Sequence, residues 1–343
     1  MFASCRIPPL QQDISKNKVP LIRKDAINLY TKITCPLKSV AYNHLREFVS
    51  LYNASHDVPI YSPMLLDGEP VINDSELMKA QSEDDLPDVI VASDLYKLLS
   101  GKFREKFIDT GIYTGITSET GLKKMPEKHR KIITQRNIGI FAAGYWNVVC
   151  DLSISLFVPY PTRWTDLIDP LYKDLITTHG CMSKTSITAV LMLLREQFGS
   201  TAVLEFAHNI RNVRPFSEII KRIDSPERHR TPFNILPNAP TVKMLSSKRA
   251  AILDFEDGPV LEPMFMFVKT SRIQECKSLV SFFHSNIMQE ALKCGGLHLV
   301  HEIDWQEPFS FPSWQYLLNS DNEESIALLE NELKKGFRPD VFL

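Results

Sequence analysis

The string Thr178-His179-Gly180-Cys181-Met182-Ser183-Lys184-Thr185 brings an imidazole, a thiol, hydroxyls and an ammonium close together along the chain. Read as a strand that gives way to a helix at Ser183, it presents unpaired backbone N–H groups at a helix start. The hydroxyls of Ser183 and Thr185 and the Lys184 ammonium lie beside them, a combination that suits a carboxylate or an oxyanion. Ser183 can equally serve only as a cap, with Lys184 solvated. The segment is not a phosphate loop, because the first glycine and the Gly-Lys-Ser/Thr order are missing. Three other segments have the same character: Cys35-Pro36-Leu37-Lys38-Ser39, Ala92-Ser93-Asp94 and Pro237-Asn238. Each follows a predicted strand, and in open α/β sheets ligands bind beyond the carboxyl ends of strands.

Two thiols invite a chemical reading. Cys35 precedes a predicted helix start, which can lower a thiol pKa, and His44 lies further along the same helix. Cys181 sits in the equivalent loop of the second half, with His179 beside it. The pair can act as nucleophiles or soft ligands, or be plain packed or solvent-facing cysteines. No Gly-x-Ser-x-Gly or His-Glu-x-x-His string occurs, and no base stands at fixed spacing from a nucleophile, so no catalytic residues are assigned. The six cysteines show no Cys-x-x-Cys pair, so neither a metal site nor a cofactor is predicted.

Bulk properties narrow the classes further. A formal net charge of -2 and the lack of a basic stripe argue against nucleic-acid binding. No apolar run reaches the roughly 20 residues that span a bilayer. The start Met1-Phe2-Ala3-Ser4-Cys5-Arg6 carries no basic n-region followed by an apolar stretch, and the thiols fit a reducing compartment. The expectation from these features is a cytoplasmic protein.

The elements that position these groups follow from periodicity. Residues 29–34 and 58–61 read as strands, and Val40, His44, Leu45, Phe48, Val49 and Tyr52 recur at helical spacing across 39–54. The run Leu86–Ser93 is apolar nearly throughout, as in a strand covered on both faces. Residues 117–137 read as a polar surface segment, and two β-rich runs, 138–144 and 147–157, follow. A second series has strands at 174–178, 233–236 and 250–254, with helices at 183–198, 203–210 and 215–223, the first closed by Gly199. Met264–Val268 reads as the chain returning to the first sheet. Helices at 273–285, 287–292 and 323–335 complete the pattern, which predicts an α/β fold with parallel crossovers.

The stretch Pro161-Thr162-Arg163-Trp164-Thr165-Asp166-Leu167-Ile168-Asp169-Pro170-Leu171-Tyr172-Lys173 resembles a "P-x-x-W-x-D-L-x-D-P-x-Y-K" segment of the type II solute-binding proteins of ABC transporters. Leu253-Asp254-Phe255-Glu256-Asp257-Gly258-Pro259-Val260 resembles that family's second hinge, although a proline often precedes the hinge glycine there. Ile273–Gln289 resembles its late helix. The resemblance implies two Rossmann-like lobes joined by a two-strand hinge, with Ser155, Asp257 and Gly258 at the crossings. It implies a small polar or anionic solute in the cleft, an ABC transporter permease as partner, and no membrane span. Iron binders of this class use adjacent tyrosines; this chain has no Tyr-Tyr pair, so ferric iron is disfavoured. The expected division is an arm at 1–28, lobe one at 29–155 plus 256–300, lobe two at 156–255, and a helical segment at 301–343 packing on lobe one. A cytoplasmic ligand sensor and a thiol enzyme using Cys35 or Cys181 are the alternatives.

Overall fold

The computed structural model describes residues 20–33, 38–66, 75–93, 96–99, 101–154, 157–181, 184–185, 187–223, 230–237, 249–319, 322–337 and 340–341. Twelve strands lie among them: β1 (Ile27–Lys32), β2 (Ile60–Tyr61), β3 (Val89–Ser93), β4 (Tyr113–Gly115), β5 (Ile140–Asp151), β6 (Ile176–Cys181), β7 (Lys184–Thr185), β8 (Ile210–Arg214), β9 (Phe233–Pro237), β10 (Ala250–Ile252), β11 (Val260–Lys269) and β12 (His298–Leu299). The apolar run that predicted a doubly covered strand is β3, buried at every position. Its Val89 and Val91 join one core cluster, with Leu29 of β1, while Ile90 and Ala92 join the other, with Tyr30. Side chains alternate across a strand, so this division places a core on each face of the sheet.

Pairing defines two halves with one arrangement. In the first, β2, β1 and β3 run parallel, β11 is antiparallel to β3, and β5 pairs with β11. In the second, β8, β6 and β9 run parallel, β5 is antiparallel to β9, and β10 pairs with β5. β5 therefore belongs to both halves, and the lobes share one continuous ladder instead of holding two separate sheets. The handover occurs at Trp146, whose register partners are Val260 of β11 and Pro237 of β9.

Several expectations require correction. The runs 138–144 and 147–157 meet in one strand, β5 (Ile140–Asp151), which passes through Gly144. Gly144 instead lets Leu297 approach, since a Cβ there would lie 2.6 Å from that side chain. The first crossing consequently lies at residues 146–147, inside β5, and not at 150–160. The helix expected from Ser183 begins at Thr188. β6 continues to Cys181 and pairs with β7, Gly180 opposite Thr185 and Cys181 opposite Lys184. Among the described residues, the apolar side chains that the helix buries start at Ile187 and Ala189. β8 was not foreseen, because Ile210-Arg211-Asn212-Val213-Arg214 carries a weak apolar alternation. The polar segment 117–137 contains helices Glu119–Lys124 and Glu127–Gln135. Finally, the helix Asn322–Gly336 packs mainly on helices Ser200–Asn209 and Thr188–Phe198 of the second half, with a smaller contact to residues 96–99 of the first. Arg195 and Glu332 pair at 3.7 Å there, and Gly336 lies where a Cβ would meet Ala207 at 2.5 Å.

Candidate ligand cavity at the chain crossings

The chain passes between the halves a second time over residues 253–259, and a short 3₁₀ turn, Trp164–Ile168, locks that passage in place. Asp166 shapes the turn by accepting from the backbone N–H groups of Thr162 at 2.7 Å and Arg163 at 3.0 Å. Asp169 accepts from Leu171 N–H at 2.8 Å, and the Asn209 amide donates to the carbonyls of Leu167 and Asp169. The string Trp-x-Asp-Leu-x-Asp-Pro is thus a set of local caps that fixes one side chain, Trp164, 1% exposed. Its indole N–H donates to the Gly258 carbonyl at 2.8 Å, and its ring meets Phe255 edge-on at 5.3 Å. Glu256 N–H donates to the Thr162 carbonyl at 2.8 Å, and Arg163 pairs with the Glu256 carboxylate on the surface.

Asp257 and Gly258 lie in this passage. Asp257 accepts from Trp164 N–H at 3.3 Å, and burial raises its pKa while that bond opposes the rise. Gly258 closes a turn onto the Phe255 carbonyl at 2.9 Å with φ of 69°, in the left-handed region that favours glycine. A Cβ at this position would lie 2.0 Å from the Pro308 carbonyl oxygen. Gly258→Ala is therefore expected to lower the urea midpoint by the equivalent of about 2 kcal/mol or more, combining strain with a backbone clash. An unchanged midpoint would show that the passage can relax.

Between the two crossings lies a cavity of about 300 Å³. Asn147 and Val148 of β5 wall it on one side; Trp164 and the passage residues Leu253, Asp254 and Phe255 wall it on the other. Its size matches the lower range of small-molecule sites. Two further spaces hold about 10 Å³ each, room for one water. Among the described residues, Asp254 is the one charged group lining the large cavity, and no basic side chain faces it. Among the described lining residues, the walls offer one carboxylate, one amide and an aromatic and apolar surface.

The strand ends beside the first crossing carry a second group of side chains. Trp146 donates its indole N–H to Glu262 of β11 at 2.7 Å. His179 of β6 lies against Trp146, with ring centres 6.2 Å apart, and edge-on to Phe216. Burial pulls the His179 pKa from 6.5 to about 4, partly opposed by its bond to the Arg214 backbone. It is a poor base for a neutral-pH thiol. Because its folded pKa is the lower one, the unfolded chain takes up the proton first as pH falls below about 6.5. Stability should then decline from pH 6.5 toward 4 by up to about 3 kcal/mol, and His179→Leu should remove this part of the decline. Urea titrations of both proteins across that range test it; parallel curves would contradict it.

The four segments marked in the sequence fare differently. Ser93 ends β3, buried, with its hydroxyl 3.4 Å from the Lys32 carbonyl, and it does not line the cavity. Lys38 and Ser39 open the helix Lys38–Ser55, and Cys181, Lys184 and Thr185 lie on the β6–β7 ribbon. Cys35, Pro36, Asp94, Ser155, Ser183 and Asn238 lie outside the described residues. Asn147, Val148 and Leu253, which line the cavity, were not singled out in the sequence. Their one signal was position, at each side of a strand that passes between halves.

Residues 84–320 match the model of a family described as bacterial extracellular solute-binding protein. No curated protein matches the chain in sequence. Among solved structures, the apo ferric ion-binding protein A of Pasteurella haemolytica is similar in fold, with 14% identity and a TM-score of 0.61, covering 92% of this chain and 100% of that one. A ferric binding protein from Campylobacter jejuni shares 12% identity at a TM-score of 0.62, covering 90% and 99%. A periplasmic thiamin binding protein shares 14% identity at 0.56, covering 94% and 100%.

Proposed function

Since the chain belongs to the bacterial extracellular solute-binding proteins, with their type II periplasmic binding fold, we propose that it captures a small solute in the cavity between its two crossings. The observation that carries this reading is the 300 Å³ cavity walled by both passages of the chain. Closing of the halves about residues 146–147 and 253–259 would be the working step, with no bond made or broken. The solute is compact, neutral or positively charged, and partly apolar: Asp254 supplies the one charge, Asn147 an amide, Trp164 and Phe255 an aromatic wall. This replaces the anionic solute expected from Ser183 and Lys184. A permease of the ABC type is the partner that would receive the solute. The family's description favours a site of action outside the cell over the cytoplasmic expectation.

Among the structural neighbours, one binds ferric ion and another thiamin, by their names. The aromatic and apolar walls of the cavity, Trp164, Phe255, Val148 and Leu253, favour an organic solute over iron. Native mass spectrometry of protein from its own source, followed by thermal-shift screening with thiamin, spermidine, phosphate, citrate and ferric citrate, tests the reading. A solute that binds only the folded chain at a hundred times its Kd adds about 2.7 kcal/mol of stability. Stabilisation by an organic cation, abolished by Asp254→Asn, is expected; stabilisation by anions alone would sink the assignment of solute class.

A further inference from the structure

After β12 the chain runs across the molecule a third time. Residues 300–319 leave the first half, where Leu299 pairs with Ala142, and lead to the helix Asn322–Gly336 on the second half. On the way they bind the second crossing. Ser310 N–H donates to the Pro259 carbonyl at 2.9 Å, Leu261 N–H donates to Ser310 at 2.8 Å, and the Ser310 hydroxyl donates to Asp257 at 2.9 Å. Ser313 N–H then reaches Glu196 on the helix Thr188–Phe198 of the second half at 2.7 Å. Three side chains tie this strap to the first half: Lys124 donates to the His301 carbonyl at 2.7 Å, Arg104 donates to the Leu318 carbonyl at 2.8 Å, and Trp314, 6% exposed, donates its indole N–H to Nδ1 of His129 at 3.0 Å.

An indole N–H can only donate, so His129 Nδ1 must be unprotonated for this bond to exist. The imidazole is also boxed in by rings, with Trp305 centred at 5.9 Å and Phe309 at 6.2 Å. Met125 and Phe311, Ile140 and Ala143 of β5, and Leu261 and Pro263 of β11 complete the lining. None of these strap or strand side chains carries a charge; Lys128, on the same helix, is the charged group that acts on the ring. Both burial and Lys128 lower the His129 pKa from 6.5. Nothing in the pocket offers a carboxylate to welcome an imidazolium.

We infer that His129 and Trp314 form a proton-sensitive latch on this third interlobe link, closed when His129 is neutral and released when it is protonated. A charged His129 would set an N–H against an N–H inside an aromatic pocket, expelling Trp314 and loosening the strap around it, while the backbone bonds of Ser310 and the Arg104 and Lys124 contacts stay in place. The link to solute capture rests on the reading above: a loosened strap holds the second crossing less firmly, so the halves open more readily in mild acid. The latch itself does not need a solute to be observed.

Hydrogen-exchange protection factors for residues 305–318, measured without solute at pH 7.5 and 5.5, test it. Protection in the native chain is expected to fall roughly tenfold on acidification, the equivalent of one lost hydrogen bond. His129→Asn, whose amide oxygen can accept from the indole at either pH, should keep its protection. His129→Phe, which cannot accept, should be weakly protected at both. Flat protection in the native chain, or an equal fall in His129→Asn, would overturn the latch. Failure of the cavity to bind any solute would leave these results untouched and count against the capture reading alone.

Discussion

Replacing Trp164 with alanine is expected to lower the unfolding free energy by about 3–5 kcal/mol, the largest effect of any single truncation near the cavity. Three losses combine. The indole is buried and fills space between the Trp164–Ile168 turn and the second crossing. Its N–H satisfies the Gly258 carbonyl, and its ring supports Phe255. Trp164→Phe separates these terms, keeping most of the packing while losing the donor, and should cost about 1–2 kcal/mol. Urea unfolding of the three proteins gives the comparison. If Trp164→Ala lost less than about 1 kcal/mol, the turn would not be what holds the passage in place.

Asp88→Ala should be comparably severe. Asp88 is 1% exposed and gathers Lys269 at 3.2 Å, Arg272 at 2.9 Å and the Asn28 backbone N–H at 2.7 Å. Lys269 is itself buried and ends β11, the strand that returns to the first half. Removing the carboxylate leaves a buried ammonium without its counter-charge, which costs about 3–5 kcal/mol, whereas exchanging both partners for apolar groups can cost little. Asp88→Leu combined with Lys269→Met should therefore recover most of the stability lost in Asp88→Ala. Denaturation of the single and double variants decides this; a double variant as weak as the single would mean that the ion pair is not the source of the loss.

The sequence made some of this architecture readable because certain residues report local physics. Leu86–Ser93 and Met264–Val268 are too apolar for anything but doubly covered strands, and they are β3 and β11, paired with each other. The Trp164 string stood out by its resemblance to a family segment, and in the structure its carboxylates Asp166 and Asp169 cap backbone groups within a few residues. Features that depend on distant partners were not readable. Gly144 looked like a break, and only Leu297 explains its place in β5. The helix 323–335 shows an apolar face but not which half it covers, and the answer lies with Ala207 and Arg195.

The candidate site shows the same division. General reasoning about strand ends directed attention to Ser93, Ser183 and Lys184, where a helix start was expected from Ser183. With that helix beginning at Thr188, the electrostatic case for an anion there loses its helix terminus. The cavity arises instead from the departure of the chain from β10 at Leu253, a geometric event with no residue signature beyond Asp257-Gly258. Its wall chemistry then follows from which side chains happen to face inward, and this is invisible without the register of β5.

The central claim is that both crossings close on one solute, and hydrogen exchange with and without the solute retained on native mass spectrometry tests it most directly. Slower exchange in 145–149 and 253–260 together, with little change in the helix Phe216–Ile223, is the predicted result. Protection confined to one half, with both crossings unaffected, would contradict it.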